Sequence, residues 1–222
     1  MPTEPPPSRF RLPSPEIAGD DDLVATGGDL EPGTLLGAYR SGQFPMHLPD
    51  GRLGWWSPAW RGILPLGGMR VTRSLRKSYR RYSYTVDADP AAVVAGCADP
   101  TRPNGWINDE IAAAFLRLHE LGWMHSVEVR AADGQLVGGL YGVGLGGLFA
   151  GESMFTLARD ASKCALLHLV ILLQQGGATL LDTQWATPHL QSLGAIEIDR
   201  SEYLMKLRGA LAVPGPWGQP QR

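Results

Sequence analysis

The chain has 222 residues, of which 44% are apolar and 19% charged, with a formal net charge of −2. Those proportions belong to a globular protein and exclude a disordered or collagen-like chain. No apolar run approaches the ~18 residues of a membrane span, and the Pro-rich start, Met1 to Pro15, lacks the apolar core of a secretory signal.

Two cysteines, Cys97 and Cys164, form no CxxC. They point to a reducing cytoplasm and leave too few ligands for a structural zinc site.

Residues 1–22 read as an extended lead-in. A short helix follows, with Asp29 as its cap, Pro32 in its first turn, Leu35, Leu36 and Tyr39 on one face, and Gly42 as its stop. Phe44-Pro45 reads as the start of a loop to Trp55-Trp56-Ser57-Pro58, which is expected to form interlobe core. A small first lobe, residues 1–60, is expected to end there and a catalytic domain, 61–222, to begin.

Ser74 to Arg81 predicts a helix, Tyr82 to Val86 a strand and Pro90 to Cys97 a short helix. Asn108 caps a helix whose apolar positions, Ile111, Phe115, Leu118 and Leu121, step by three and four. Trp123 to Arg130, Gln135 to Leu145 and Leu148 to Phe155 read as three strands joined by tight turns. Ala161 to Gln175 is apolar on nearly all sides, which predicts a buried helix. Thr179 to Thr183 reads as a short buried strand. Thr187 to Leu193, Ile196 to Ile198 and Tyr203 to Leu207 close the domain, and the Pro/Gly-rich tail from Val213 is expected to be mobile. The order predicts an α/β (α+β) fold with a mixed sheet, similar to the GNAT architecture.

Charge is unevenly spread. Arg61, Arg70, Arg73, Arg76, Lys77, Arg80 and Arg81 fall in one stretch with no acidic residue, while the rest of the chain holds 13 basic and 22 acidic residues. Such a segment is either an anion-seeking surface or a solvated charged face.

Several motifs are decoys. Gly142 to Gly147 satisfies GxGxxG, but a strand follows where a dinucleotide site needs a helix. Ser74 to Lys77 fits SxxK without the partner motifs of a β-lactamase. None of the five histidines shares metal-ligand spacing with another. No metal or cofactor is expected.

Two blocks carry chemistry. Gly151-Glu152-Ser153-Met154-Phe155 puts a carboxylate at the end of an apolar strand, and Leu181-Asp182-Thr183-Gln184 puts two polar residues at the end of another. Residues at i and i+2 share a strand face. Two readings stand for the pair: Asp182 orients the Gln184 amide for catalysis, or both satisfy nearby backbone.

These blocks, together with Ala25 to Leu30, Leu35 to Tyr39, Gly42 to Pro45, Trp55 to Pro58, Thr72 to Leu75, Trp106-Ile107, Leu118 to Gly122, His125 to Val129, Val137 to Gly142, Ala161 to Lys163 and Ser192 to Ala195, resemble the leucyl/phenylalanyl-tRNA–protein transferase family in register from about residue 23 to 207. The resemblance implies transfer of Leu or Phe, less readily Met, from aminoacyl-tRNA to an N-terminal Lys or Arg. The product would be marked for N-end rule degradation. It implies Asp182, Gln184 and Glu152 as catalytic residues and Tyr39 and Trp106 as active-site aromatics. It also implies an aminoacyl side-chain pocket of Leu140, Phe149, Met154, Leu169, Leu173 and Leu181. The basic helix, with Arg73, Arg76, Lys77, Arg80 and Arg81, is expected to hold tRNA phosphates. Met46, Leu169, Leu173 and Thr183 depart from the residues usual in the family. A cytoplasmic monomer without membrane partners is expected. The alternatives are a CoA-dependent N-acetyltransferase on the same scaffold and a non-catalytic RNA-binding module. A CoA enzyme would carry a Gly-rich loop where this chain has Ala158 to Lys163.

Overall fold

The computed structural model describes residues 2–101 and 105–217. Its first part forms a small antiparallel sheet in the order β1-β3-β2, with β1 at Leu23–Thr26, β2 at Phe44–His47 and β3 at Leu53–Trp56. Helix α1, Pro32–Arg40, lies between β1 and β2 in the chain and buries Leu35, Leu36, Ala38 and Tyr39. Asp29 does not cap it. Glu31 is the N-cap residue, and the Asp29 carboxylate accepts from the Glu31 N–H in the preceding turn. The sheet replaces the expected loops. Each strand has only four residues, and Pro45 and Gly54 interrupt two of them, so period-two alternation has no length in which to show. Trp55 fills the core of this lobe, its indole N–H donating to the Gly27 carbonyl.

The expected mixed α/β domain follows. Its seven-stranded sheet runs β10-β4-β9-β8-β7-β6-β5. The first of these in sequence is β4, Trp60–Ile63, a stretch to which the sequence reading assigns no element. Helix α2, Arg73–Tyr79, strand β5, Ser83–Val86, and helices α3, Pro90–Cys97, and α4, Asp109–Glu120, come next. Thr72 caps α2 and Asn108 caps α4, each accepting from the N–H three residues on. Strands β6, Met124–Arg130, β7, Leu136–Leu145, and β8, Leu148–Thr156, form an antiparallel meander. The glycines of the GxGxxG match sit in β7 and its turn. Helix α5, Ala161–Gln175, then crosses over to β9, Leu180–Gln184, which lies parallel to β8. Helix α6, Pro188–Ser192, strand β10, Ile196–Asp199, and helix α7, Arg200–Leu211, complete the domain.

Two cores form, one on each face of the large sheet. One joins α3, α4 and α1 to Tyr141 and Val143 of β7, and the other joins α5 to Leu140, Val127 and Val129. Alternate residues of β7 serve opposite faces. Helix α5 is less enclosed than expected: away from the sheet it meets α2 and a ring cluster that joins its His168 to Tyr79 and Tyr84, and Gln174 and Gln175 are exposed. The tail also differs from expectation through Trp217, whose ring stacks on His125 at 4.2 Å between centroids. Among the described residues no helix is long and apolar enough to cross a membrane.

Candidate active site

Strands β8 and β9 pair only from Leu148 with Leu180 to Ala150 with Asp182. Beyond that point β8 runs on along β7 while β9 stays with β4, and the sheet opens. A cavity of about 120 Å³ occupies the opening, lined by Gly151 to Met154 of β8, Asp182 and Thr183 of β9, and Leu140, Leu166, Leu169 and Leu190.

Glu152 sits at this opening and is 8% exposed. Its Oε1 accepts from the Tyr39 hydroxyl at 2.7 Å and from the Gln184 amide Nε2 at 2.9 Å. Its Oε2 is buried without a hydrogen-bond partner among the described residues. Burial pushes the Glu152 carboxyl up to about 8, with Asp182 adding to the rise, while the two donors and Arg61 oppose it. Burial and the Glu152 carboxylate push the Tyr39 hydroxyl far up, so Tyr39 remains a donor.

The rise has a consequence for stability. A native carboxyl that holds its proton more tightly than the unfolded chain stabilises the fold fully below the unfolded value. That contribution fades as pH climbs from about 4.3, the unfolded value, to about 8. Glu152→Gln imitates the protonated form and has nothing to lose. The expected result is a variant close to wild type in thermal midpoint near pH 5 and above it near pH 9. A midpoint difference that does not change with pH would contradict it.

Asp182 is fully buried and faces Arg61 of β4. The guanidinium donates to both carboxylate oxygens, Nε at 2.9 Å and Nη2 at 2.7 Å. It also donates to the Gly42 carbonyl, and Tyr203 donates its hydroxyl to Asp182 at 2.8 Å. Burial draws the Arg61 pKa down, but Asp182 and Tyr203 more than restore it, so Arg61 stays charged. The expected bond from Asp182 to the Gln184 side chain is absent. Asp182 instead accepts the Gln184 backbone N–H at 2.9 Å, and Glu152 takes the side-chain amide.

Gln184 ends β9 in the left-handed region, at φ 63°. A non-glycine residue held there costs about 1–3 kcal/mol and marks positions fixed by their surroundings. Gly62 makes room for the turn. A Cβ on it would stand 2.6 Å from the Ala186 nitrogen and 2.7 Å from the Trp185 carbonyl carbon. The Gln184 carbonyl oxygen has no hydrogen-bond partner among the described residues. Gln184 also lines a groove with Phe44, Met46, Trp106 and Trp185.

The structure thus brings Tyr39, Glu152, Asp182 and Gln184 into one hydrogen-bonded group, with Trp106 across the adjoining groove. Leu140, Met154, Leu169 and Leu181 line the cavity. Phe149 and Leu173 do not. Both are wholly buried in the apolar cluster behind it, because periodicity places a residue inside without saying which void it faces. Arg61 was hidden in the basic run and leaves that surface altogether. Tyr203, Leu166, Leu190 and Trp185 gave no separate signal. Arg73, Arg76, Lys77, Arg80 and Arg81 are exposed on α2 and the turn after it, and none pairs with a carboxylate among the described residues. No group of three or more His, Cys, Asp or Glu suited to a metal occurs among the described residues.

Comparison with known proteins agrees along most of the chain. The family model for the leucyl/phenylalanyl-tRNA protein transferase matches residues 63–208, and the model for its N-terminal domain matches residues 28–59. A leucyl/phenylalanyl-tRNA–protein transferase of Aromatoleum aromaticum is 50% identical over 82% of this chain and 78% of its own. One from Ruegeria pomeroyi is 52% identical over 82% and 87%, and one from Rhodopseudomonas palustris 49% over 88% of each. A solved GCN5-related N-acetyltransferase from Kribbella flavida aligns over 74% of the chain at a TM-score of 0.37 and 15% identity, a likeness too loose to argue from. With the glutamate, the buried aspartate, the glutamine and the apolar cavity in the matched span, the chain belongs to the leucyl/phenylalanyl-tRNA–protein transferase family.

Proposed function

We propose that this chain moves Leu or Phe, and less readily Met, from aminoacyl-tRNA to the N-terminal Lys or Arg of acceptor proteins, which marks them for N-end rule degradation. The observation that carries the reading is the apolar cavity opening directly beside Gln184 and Glu152. An apolar cavity of ~150 Å³ holds a benzene ring, so one of about 120 Å³ with an open mouth suits an isobutyl or phenyl group. Charged side chains are refused there by their desolvation cost.

The donor ester is already activated, so no ATP is needed. The acceptor α-amine, with an ordinary pKa of ~7.7–8.0, is partly neutral at physiological pH. Its nitrogen attacks the ester carbonyl, an amide bond forms, the ester C–O bond breaks, and the ribose oxygen takes up the proton the amine gives up. The Gln184 carbonyl accepts a hydrogen bond from the attacking amine and holds it in line, and Glu152 fixes the Gln184 amide. Asp182 and Arg61 hold the backbone beneath Gln184. The Trp106 and Trp185 rings flank the groove and offer faces to the terminal base of the tRNA.

The tRNA acceptor stem lies along α2. Ser78 of α2 donates to Asp160 at 2.9 Å, and Tyr82 donates to the Arg159 carbonyl, which joins the basic surface to the rim of a groove carrying Arg159, Lys163, Ser153 and Met154. Phosphate contacts position a donor without reading its sequence. Replacing Arg76, Lys77 and Arg80 by Ala is expected to raise KM for aminoacyl-tRNA about tenfold or more and to flatten its salt dependence, since fewer counterions are released. An unchanged salt slope places the tRNA elsewhere. The reading as a whole is tested with radiolabelled Leu-tRNA and a protein beginning with Arg. Label on the protein supports it, and no label from a folded enzyme overturns it.

A further inference from the structure

The cavity has one feature that an apolar side chain does not use. Beside its leucines and Met154 the lining includes Tyr141, Gly151 and four polar residues, and one of these, Glu152, is more than nine-tenths buried with Oε2 left without a partner among the described residues. The other oxygen is already engaged by both neighbouring donors, Tyr39 and Gln184. A buried carboxyl oxygen left unpaired is costly, and the cost is removed when a ligand brings a nitrogen to it. We infer that Glu152 Oε2 receives the free α-amino group of the donor aminoacyl residue, so that the site reads an unblocked amine as well as an apolar side chain.

This rests on the aminoacyl-tRNA reading above and assigns Glu152 to the donor rather than to the acceptor's cationic side chain. Geometry supports the assignment. The α-amine of an amino acid sits one bond from the carbon that bears its side chain. A residue with its side chain among Leu140, Met154 and Leu169 therefore presents its amine near the polar end of the same cavity, at Glu152. An acceptor cation would have to thread a long chain through that apolar lining and would compete with the donor for the space. The proton balance also fits. A carboxyl raised to about 8 by burial and an α-amine of ~8 are matched, so a proton between them is shared rather than surrendered to water. Two oxygens then divide the work: Oε1 fixes Gln184 and Oε2 fixes the donor amine. The ester carbonyl is thereby held at a set distance from the Gln184 carbonyl. A donor whose amine is acylated keeps its apolar side chain but loses the charge and the room for this contact.

The test uses the full chain and two hydrolysis-resistant probes. One is adenosine carrying leucine through a 3′-amide. The other carries 4-methylpentanoyl, which is the same group without the α-amine. Calorimetric titration at about pH 6.5 is expected to show the amino probe binding tenfold or more tighter than its desamino counterpart. It is also expected to release about one proton on binding, whichever partner carried it, while the desamino probe releases none. In Glu152→Gln the preference is expected to fall to about twofold. Equal binding of the two probes to wild type overturns the inference. A tenfold preference retained in folded Glu152→Gln overturns it as well. If that variant does not fold, the wild-type comparison and its proton release decide alone. Failure of both probes to bind wild type overturns the aminoacyl reading and this inference together. Binding of both without preference overturns only the latter.

Discussion

Asp182→Ala is expected to lose about 3–5 kcal/mol of stability, not merely activity. The sequence marks Asp182 as catalytic; the structure makes it also the counter-charge of Arg61, whose side chain is 1% exposed. Without the carboxylate a permanently charged guanidinium remains buried, left with neutral partners: the Gly42 carbonyl, the Tyr203 hydroxyl and the Phe44 and Tyr203 rings. The Tyr203 hydroxyl and the Gln184 N–H lose their acceptor in the same step. Typical domains have only ~5–15 kcal/mol in total, so the loss is a large share. Chemical denaturation measures it. Removing the charge from both sides, as in Arg61→Met with Asp182→Leu, is expected to recover much of the stability and none of the transfer. A loss below about 1 kcal/mol for Asp182→Ala would show that the pair is not buried as described.

Gln184→Ala is the opposite case. It is expected to reduce transfer by about 10²-fold or more, with the chain folded. Among the described residues the side chain has one hydrogen bond, to Glu152, and its backbone contact with Asp182 survives the substitution. Ala at φ 63° carries a similar backbone penalty, so the stability change stays small. If the Gln184 carbonyl acts on the amine mainly in the transition state, kcat and kcat/KM fall together while KM for aminoacyl-tRNA moves little. Single-turnover measurement with Leu-tRNA separates these quantities. A kcat within threefold of wild type would remove Gln184 from the reaction.

What was legible follows from length and chemistry. Helices α3 and α5 were bounded by Pro90, Cys97, Ala161 and Gln175, where turn residues and apolar runs leave no ambiguity. Glu152, Asp182 and Gln184 stood out because polar residues interrupt otherwise apolar strands. The small sheet was not legible, since four-residue strands give pattern recognition too few positions. Arg61 was misread for a different reason. Counting charges along the chain cannot distinguish a cation at the surface from one that crosses the sheet to meet a carboxylate 121 positions later. Phe149 and Leu173 share that limit: apolar character establishes burial and leaves the neighbour unspecified.

Arg200, at the first turn of α7, donates to the carbonyls of Ser57, Pro15, Gly19 and Asp21. A planar guanidinium can serve four acceptors at once in a fixed fan, whereas an ammonium has three donors on a swivelling stem. The first lobe is thus bolted to the last helix at a point in sequence that a growing chain reaches only near the end of synthesis. Without Arg200, three carbonyls between residues 15 and 21 lose their shared donor. A chain cut before residue 200 therefore loses the clasp that ties its first lobe to its last helix, along with the helix itself.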